Sequence, residues 1–409
     1  MAFLSERSRF VYNALLEEDG IADRMMNKGV RVVKLNRGDP AVYFKTPKYV
    51  IDAYVKALRE SKTYYSKAQG SAELVHAVQK RYRSMYHVDF PYDGIIATAG
   101  LSEALIFIKS ALINKGDGAI IFKPYYNQYM TQLKLEGGIP IMADYEESRN
   151  WAMNPDVIKG KLAKLKLDRR LNRIKYMLIT NPNNPTGTVL GRGVLEEVVG
   201  IANDYGVMLI SDEIYDEIVY NGARFTSLAK LAKGMPHVIL NGMSKDYDST
   251  GFRIGFAIIP ENDKNSDALK SKLVDYARVR LSLNTPAMYA AAEAIGNMKE
   301  HKKAIVHMTA EIEKRVNHSM KILKSNNFVK TVVPNGAFYI LPRIDLKALR
   351  MKDDREFAQK LLLEEGIQVT RGSGFGAESH FRIVSLAPKG ILDYSINKIN
   401  NFCIRHAKR

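Results

Sequence analysis

Cysteine is nearly missing from this chain: Cys403 is the single one in 409 residues, which excludes an internal disulfide and fits a reducing compartment. Also absent are a run of about 20 apolar residues and any stretch resembling a signal peptide, so the expected location is the cytoplasm, with no membrane partner. Basic residues are plentiful but not clustered. The 61 Lys and Arg exceed the 44 Asp and Glu and give a net charge of +17, yet they are interleaved with acids and carry no RNA-binding signature. Nucleic acid is therefore not an expected partner, whereas a basic surface that attracts small anions is. Internal repeats and low-complexity linkers are absent too, and no metal site is expected.

What remains is the composition of a globular enzyme. With 46% hydrophobic and 26% charged residues, a chain of 409 can bury a sizeable core and would ordinarily divide into about two domains. Apolar runs of strand length alternate with helix-period segments: GIIAT, LSEALIFIKSALI, GAIIF, then IKYMLIT, VLEEVVGIANDYG, VMLIS, HVILN and IGFAII. In the fifth of these, Leu195, Val198, Val199 and Ala202 share one helical face. The alternation predicts a mainly parallel sheet covered by helices. After Pro286 the pattern turns to long helices and then short strands. A large domain over 48–285 and a small one from 1–47 with 286–409 are expected.

The chemistry is carried by three stretches in a fixed order. NPNNPTG (Asn181 to Gly187) is followed by SDEIY (Ser211 to Tyr215), then by NGMSKDYDSTGFRIGF, where Arg253 stands eight residues after Lys245. A desolvated lysine near other cations titrates low enough to condense with an aldehyde. A pyridine ring that serves as an electron sink needs a protonated nitrogen, hence an ionised carboxylate facing it. Asp212, at the end of VMLIS, is the candidate; Glu213 is adjacent, but consecutive strand residues point to opposite faces, so only one of the two meets the ring. Asn184 and Tyr215 supply donors for a phenolic oxygen. Arg253 offers a planar fork to a phosphate, and GLSEAL reads as a glycine turn at Gly100 opening a helix, with the N–H groups of Gly100 and Leu101, the Ser102 hydroxyl and the positive dipole end all favouring an anion. Taken singly, a lysine, an arginine or an Asn-Pro turn is most often a solvated surface feature. In combination and in this order, they point to pyridoxal phosphate chemistry.

At this point the chain resembles the class I and II, fold type I aminotransferases, from about Leu35 to Ala387. The resemblance runs through LNRGDP, YYSKAQG, TAGLSEAL, KPYYNQY, NPNNPTG, SDEIYDEI, the lysine segment, LNTPA, PNGAFYILP and HFRIVSL. It implies an α/β fold: a large domain whose mainly parallel, seven-stranded sheet lies between helices, plus a smaller α+β domain from both termini. It further implies pyridoxal 5'-phosphate as cofactor, amino acids and 2-oxo acids as small-molecule partners, and a homodimer. Carried over by motif, Lys245 resembles the imine-forming lysine, Asp212 the pyridinium partner, Asn184 and Tyr215 the phenolate ligands, and Arg253 with Ser102 the phosphate site. Tyr126 resembles the ring that stacks on the cofactor, and Tyr65 the tyrosine lent to the phosphate across a dimer interface. Arg382 resembles the arginine that clamps the substrate α-carboxylate, Asn184 is expected to bind substrate as well as cofactor, and Gly38 lets backbone approach the substrate closely.

The chain also departs from the pattern. Gly242 stands three residues before the lysine, where many relatives carry a phosphate-binding serine. Within the family the motifs are most similar to the alanine (glutamate-pyruvate) branch, next to aspartate transaminases, yet Leu15 occupies the place of that branch's N-terminal arginine. Arg278 or Arg280, from a partner subunit, are the expected substitutes for binding a second substrate carboxylate. The alternative function on the same cofactor is elimination of a β-leaving group, which fold alone does not separate from amino transfer.

Overall fold

The structure is a computed structural model that describes residues 3–11, 17–260 and 263–408. Its centre is an eight-stranded sheet in the order Ile95–Thr98, Gly255–Ile258, His237–Gly242, Met208–Asp212, Ile174–Thr180, Gly118–Lys123, Ile139–Glu146 and Ala152–Met153. The strands from His237–Gly242 through Ile139–Glu146 are mutually parallel, while Gly255–Ile258 runs antiparallel to both of its neighbours. The α/β class and the mainly parallel sheet agree with the sequence reading. The eighth strand is a two-residue antiparallel extension at the edge, too short to give a sequence signal.

Burial on both faces explains the apolar runs. Along Ile174–Thr180, Met177 and Ile179 face one core with Ile158, Leu162, Leu195, Val198 and Ala202. Tyr176 and Leu178 face the opposite core with Leu105, Ile108, Leu269 and Leu273. A strand with period two thus joins two helix layers. The helix Arg192–Asp204 buries Leu195, Val198 and Ala202, the face expected from its periodicity, and the leucine and valine each contribute about 1.5–3 kcal/mol when fully buried.

A third core gathers the C-terminal part. The strands Tyr339–Ile340, Phe381–Val384 and Thr370–Arg371 form a small antiparallel sheet packed with the helices Met298–Leu323, Asp354–Glu365 and Lys389–Lys408. The N-terminal segment is stitched onto it: Val33–Lys34 pairs in parallel with Ile367–Gln368. Cys403 lies inside this core, where burial pushes its thiol up to about 11, a value that keeps it unreactive. The helix Thr285–Gly296 behaves differently from the rest of the C-terminal part. Its Ala287, Met288 and Ala291 pack into the same core as Val50, Leu74 and Val78, on the side of the central sheet. Among the described residues, no helix is long and apolar enough to cross a membrane.

The parallel register sets up the site. Thr180, Asp212 and Leu240 lie side by side at the carboxyl ends of neighbouring strands. The segments that follow them carry Asn184, Asp212 itself and Lys245, at the edge where open α/β sheets hold ligands.

Candidate active site

One cavity of about 390 Å³ collects Lys245, Asp212, Asn184, Tyr215, Arg253, Leu101, Ser102, Tyr126, Arg382 and Gly38. These come from seven separate sequence motifs, so the fold assembles what the sequence could only list.

Lys245 is half-buried, and its Nζ donates to the Gly38 carbonyl at 2.6 Å. Burial, opposed by Asp39 and helped by Arg382 and Arg253, lowers its pKa to about 8. Gly38 has to be glycine here: a Cβ on it would stand 2.3 Å from the Tyr339 hydroxyl oxygen.

Asp212 is the carboxylate that reaches the cavity. Tyr129 donates to its Oδ2 at 2.6 Å and the Ile214 N–H to its Oδ1 at 3.2 Å. Burial raises its pKa to about 6, against the pull of those two donors and of Lys245, so it is ionised at neutral pH. Glu213 points the other way and is held by Ser211, Ser227 and the Leu228 N–H. Tyr129 is itself positioned by Thr180, whose hydroxyl donates to it at 3.0 Å. Fully buried Lys109, its pKa lowered to about 7 by burial, fastens the same helix through the Tyr129 carbonyl and Gln132.

The far end of the cavity is built for an anion. Arg253 adopts a left-handed backbone, φ 55°, and among the described residues its guanidinium donates to the backbone carbonyls of Thr250 and Ala99. It lies against Gly100, where a Cβ would come within 2.4 Å of Nη2, and next to the N-terminus of the helix Leu101–Leu112. Ser102 currently donates to Gln128 at 2.9 Å. Gly242 is explained by packing: a Cβ there would meet the Gly255 Cα at 2.7 Å and the Ile254 carbonyl at 2.8 Å. A serine at 242 would require these strands to separate.

Arg382 is 4% exposed and lies between the rings of Tyr339 and Phe375, at 4.6 and 4.5 Å. It donates to Asn184 Oδ1 at 2.8 Å and to the Asn36 carbonyl at 2.6 Å. Among the described residues it pairs with no carboxylate, and the same holds for Arg253. For Arg382, which is buried, lacking an acid is costly, and an anionic ligand removes that cost; Arg253 is exposed and offers its charge without such a penalty. Tyr215 shares a 2.7 Å hydrogen bond with Tyr339.

Several residues escaped the sequence reading. Tyr129 lies one helical turn beyond Tyr126 inside KPYYNQY, and Tyr339 lies within PNGAFYILP, so both sat in quoted motifs without a role. Tyr65 does not join the cavity within one chain; it is 81% exposed on the surface. Arg278 pairs with Asp275 at 2.9 Å, and Arg280 with Glu103 at 2.9 Å and the Ala68 carbonyl, so neither reaches this chain's own cavity. Leu15 lies outside the described residues.

A mainly parallel sheet that brings a lysine amine, a buried carboxylate and two guanidiniums unneutralised by protein acids to one cavity has the construction of a pyridoxal phosphate enzyme. Comparison with known proteins narrows that class. The family model for aminotransferase class I and II matches residues 30–398, and the chain belongs to that family. It is similar to an aspartate aminotransferase of Bacillus sp. (strain YM-2), 30% identical over 93% of this chain and 94% of that protein. It is also similar to a glutamate-pyruvate aminotransferase of Escherichia coli (strain K12), 30% identical over 93% of this chain and 92% of the other. Among solved structures, an alanine aminotransferase from Pyrococcus furiosus superposes with a TM-score of 0.91 at 33% identity, covering 98% of this chain and all of that one. The protein is a pyridoxal phosphate-dependent aminotransferase. These relatives are all amino-group transferases, and none favours elimination chemistry.

Proposed function

We propose that this enzyme moves an amino group between an L-amino acid, alanine or aspartate with glutamate and 2-oxoglutarate, and a 2-oxo acid, in a ping-pong sequence, and that Lys245 is the residue to which the cofactor attaches. The observation that carries the reading is the meeting of Lys245, Asp212, Arg253 and Arg382 in one cavity. When bound, pyridoxal phosphate supplies a carbonyl for amine exchange and an electron sink for the substrate α-carbon. The donor set fits it. Arg253, Ser102 and the N–H groups of Gly100 and Leu101 would hold the phosphate, Asp212 the ring nitrogen, Asn184 and Tyr215 the phenolic oxygen, and Tyr126 the ring face. Tyr65 is assigned to the phosphate of a second subunit.

The chain's own groups then divide the work. Arg382 fixes the substrate carboxylate, which orients the α-hydrogen. Lys245, with its pKa near 8, has a substantial neutral fraction at physiological pH, so its Nζ accepts the α-proton and later returns it. The sign of the pH effect follows. The neutral amine is the reactive form, so the rate at which apoprotein takes up pyridoxal phosphate should rise with pH and level off above about 8. Stopped-flow absorbance across pH 6 to 10 tests this; a plateau delayed to the ordinary lysine range contradicts it. Asp212→Ala is expected to lower kcat by about 10²–10³-fold while most of the cofactor stays bound, because it removes charge stabilisation and leaves the phosphate grip in place. Parallel measurement of turnover and bound chromophore checks that separation.

We further propose a cytoplasmic homodimer. Exposed Ile51, Val55 and Leu58 on one face of the helix Lys48–Arg59, together with exposed Tyr64, Tyr65 and Leu281, support a second copy as the covering partner. Two domains are proposed, divided near 47/48 and, since Thr285–Gly296 packs with the large body, at Asn297 in place of 285/286. A panel of amino donors against pyruvate, 2-oxoglutarate and oxaloacetate tests the substrate assignment. Transfer with none of the alanine, aspartate and glutamate pairs would overturn it.

A further inference from the structure

Three guanidiniums line the cavity, and two of them, Arg253 and Arg382, already have assigned anions. The third is Arg37. Its side chain is 66% exposed, and among the described residues its one ion pair is to Asp19, Nη2 to Oδ2 at 3.0 Å. Asp19 is held on both oxygens: Oδ1 accepts from the Asn36 and Gln368 amides at 2.9 and 2.7 Å, while Oδ2 accepts from Arg37. A guanidinium carries five N–H donors, so a contact through Nη2 leaves an edge for a second carboxylate. The Arg37 side of this pair is open to solvent, so the pair adds only modestly to stability and leaves the guanidinium room for a second role.

The placement of Arg37 is tied to Arg382. The Asn36 carbonyl accepts from Arg382 Nη2 at 2.6 Å, its side chain holds Asp19, and residue 37 follows directly. One short segment, ending in Gly38 against Lys245, therefore sets the position of the α-carboxylate clamp, the lysine amine and a further cation. The facing acids are accounted for. Asp39 accepts from Thr250 and the Ala41 N–H and lies toward Lys245, whose pKa it supports, while Asp19 takes two amide donors on Oδ1 and only the Nη2 of Arg37 on Oδ2.

We propose that Arg37 is the specificity-determining residue for a second substrate carboxylate, receiving the distal carboxylate of a dicarboxylic amino or 2-oxo acid while Arg382 holds the α-carboxylate. This rests on the amino-transfer reading above and names its substrate class. It places the selectivity on this subunit, not on Arg278 or Arg280 of a neighbour.

The test uses the holoenzyme and its Arg37→Gln and Arg37→Lys variants. Glutarate, an unreactive dicarboxylate, is titrated by calorimetry, and kcat/KM is measured for 2-oxoglutarate and for pyruvate. Arg37→Gln should weaken glutarate binding about 10–100-fold and lower the ratio of kcat/KM for 2-oxoglutarate over pyruvate by a similar factor, mainly through KM, with Arg37→Lys recovering part of both. Glutarate affinity unchanged in Arg37→Gln, or losses equal for the two oxo acids, would overturn the assignment and leave Arg37 a structural link to Asp19. A wild-type enzyme that transfers no amino group, yet binds glutarate through Arg37, would refute the proposed reaction and still support this site.

Discussion

Arg382→Leu is expected to lower kcat/KM for every amino acid and 2-oxo acid alike, by about 10²–10⁴-fold. Two charge-assisted hydrogen bonds to a carboxylate are worth roughly 1.5–3 kcal/mol each, and every tenfold change corresponds to about 1.4 kcal/mol. The effect is general because the α-carboxylate is common to all substrates. Folding should suffer less than catalysis. Leucine keeps an apolar group between Tyr339 and Phe375 and removes a buried charge that no acid among the described residues neutralises, although it leaves Asn184 Oδ1 and the Asn36 carbonyl without that donor. Steady-state kinetics over several substrates, beside a thermal unfolding curve, separates the two effects. A loss confined to one substrate would move Arg382 to side-chain recognition.

Lys245→Ala should have the largest effect of all, at least about 10⁴-fold in turnover, because in the proposed mechanism one side chain both anchors the cofactor and carries the proton. The other cofactor ligands remain, so noncovalent binding should persist weakly while the absorbance of the lysine-bound chromophore disappears. Added small amines should restore some activity by acting as the missing base. A variant that keeps wild-type turnover would remove Lys245 from the chemistry.

Much of this was legible in the sequence because α/β chemistry sits where strands end. Asp212 closes an apolar run, and Asn184 and Lys245 follow shortly after two others, so the parallel sheet that the runs predict also brings the three together. The choice of Asp212 over Glu213 was a motif argument until the fold showed Glu213 held by Ser211 and Ser227 on the other side. Tyr129 stayed hidden because a tyrosine inside a helix reads as packing, and only the register of the strand ending at Thr180 aims it at Asp212. Arg37 was invisible for a related reason: on the page it is one of many basic residues, and its meaning comes from the Asn36 carbonyl that also braces Arg382, 346 positions away. The placement of the helix Thr285–Gly296 was equally out of reach, since an alanine-rich apolar helix fits against either body and tertiary packing decides.

The central claim is tested most directly by incubating the purified protein with pyridoxal phosphate, reducing it with borohydride and mapping the peptides by mass spectrometry. The account predicts a single phosphopyridoxyl adduct on the Lys245 side chain; an adduct elsewhere, or none, would contradict it.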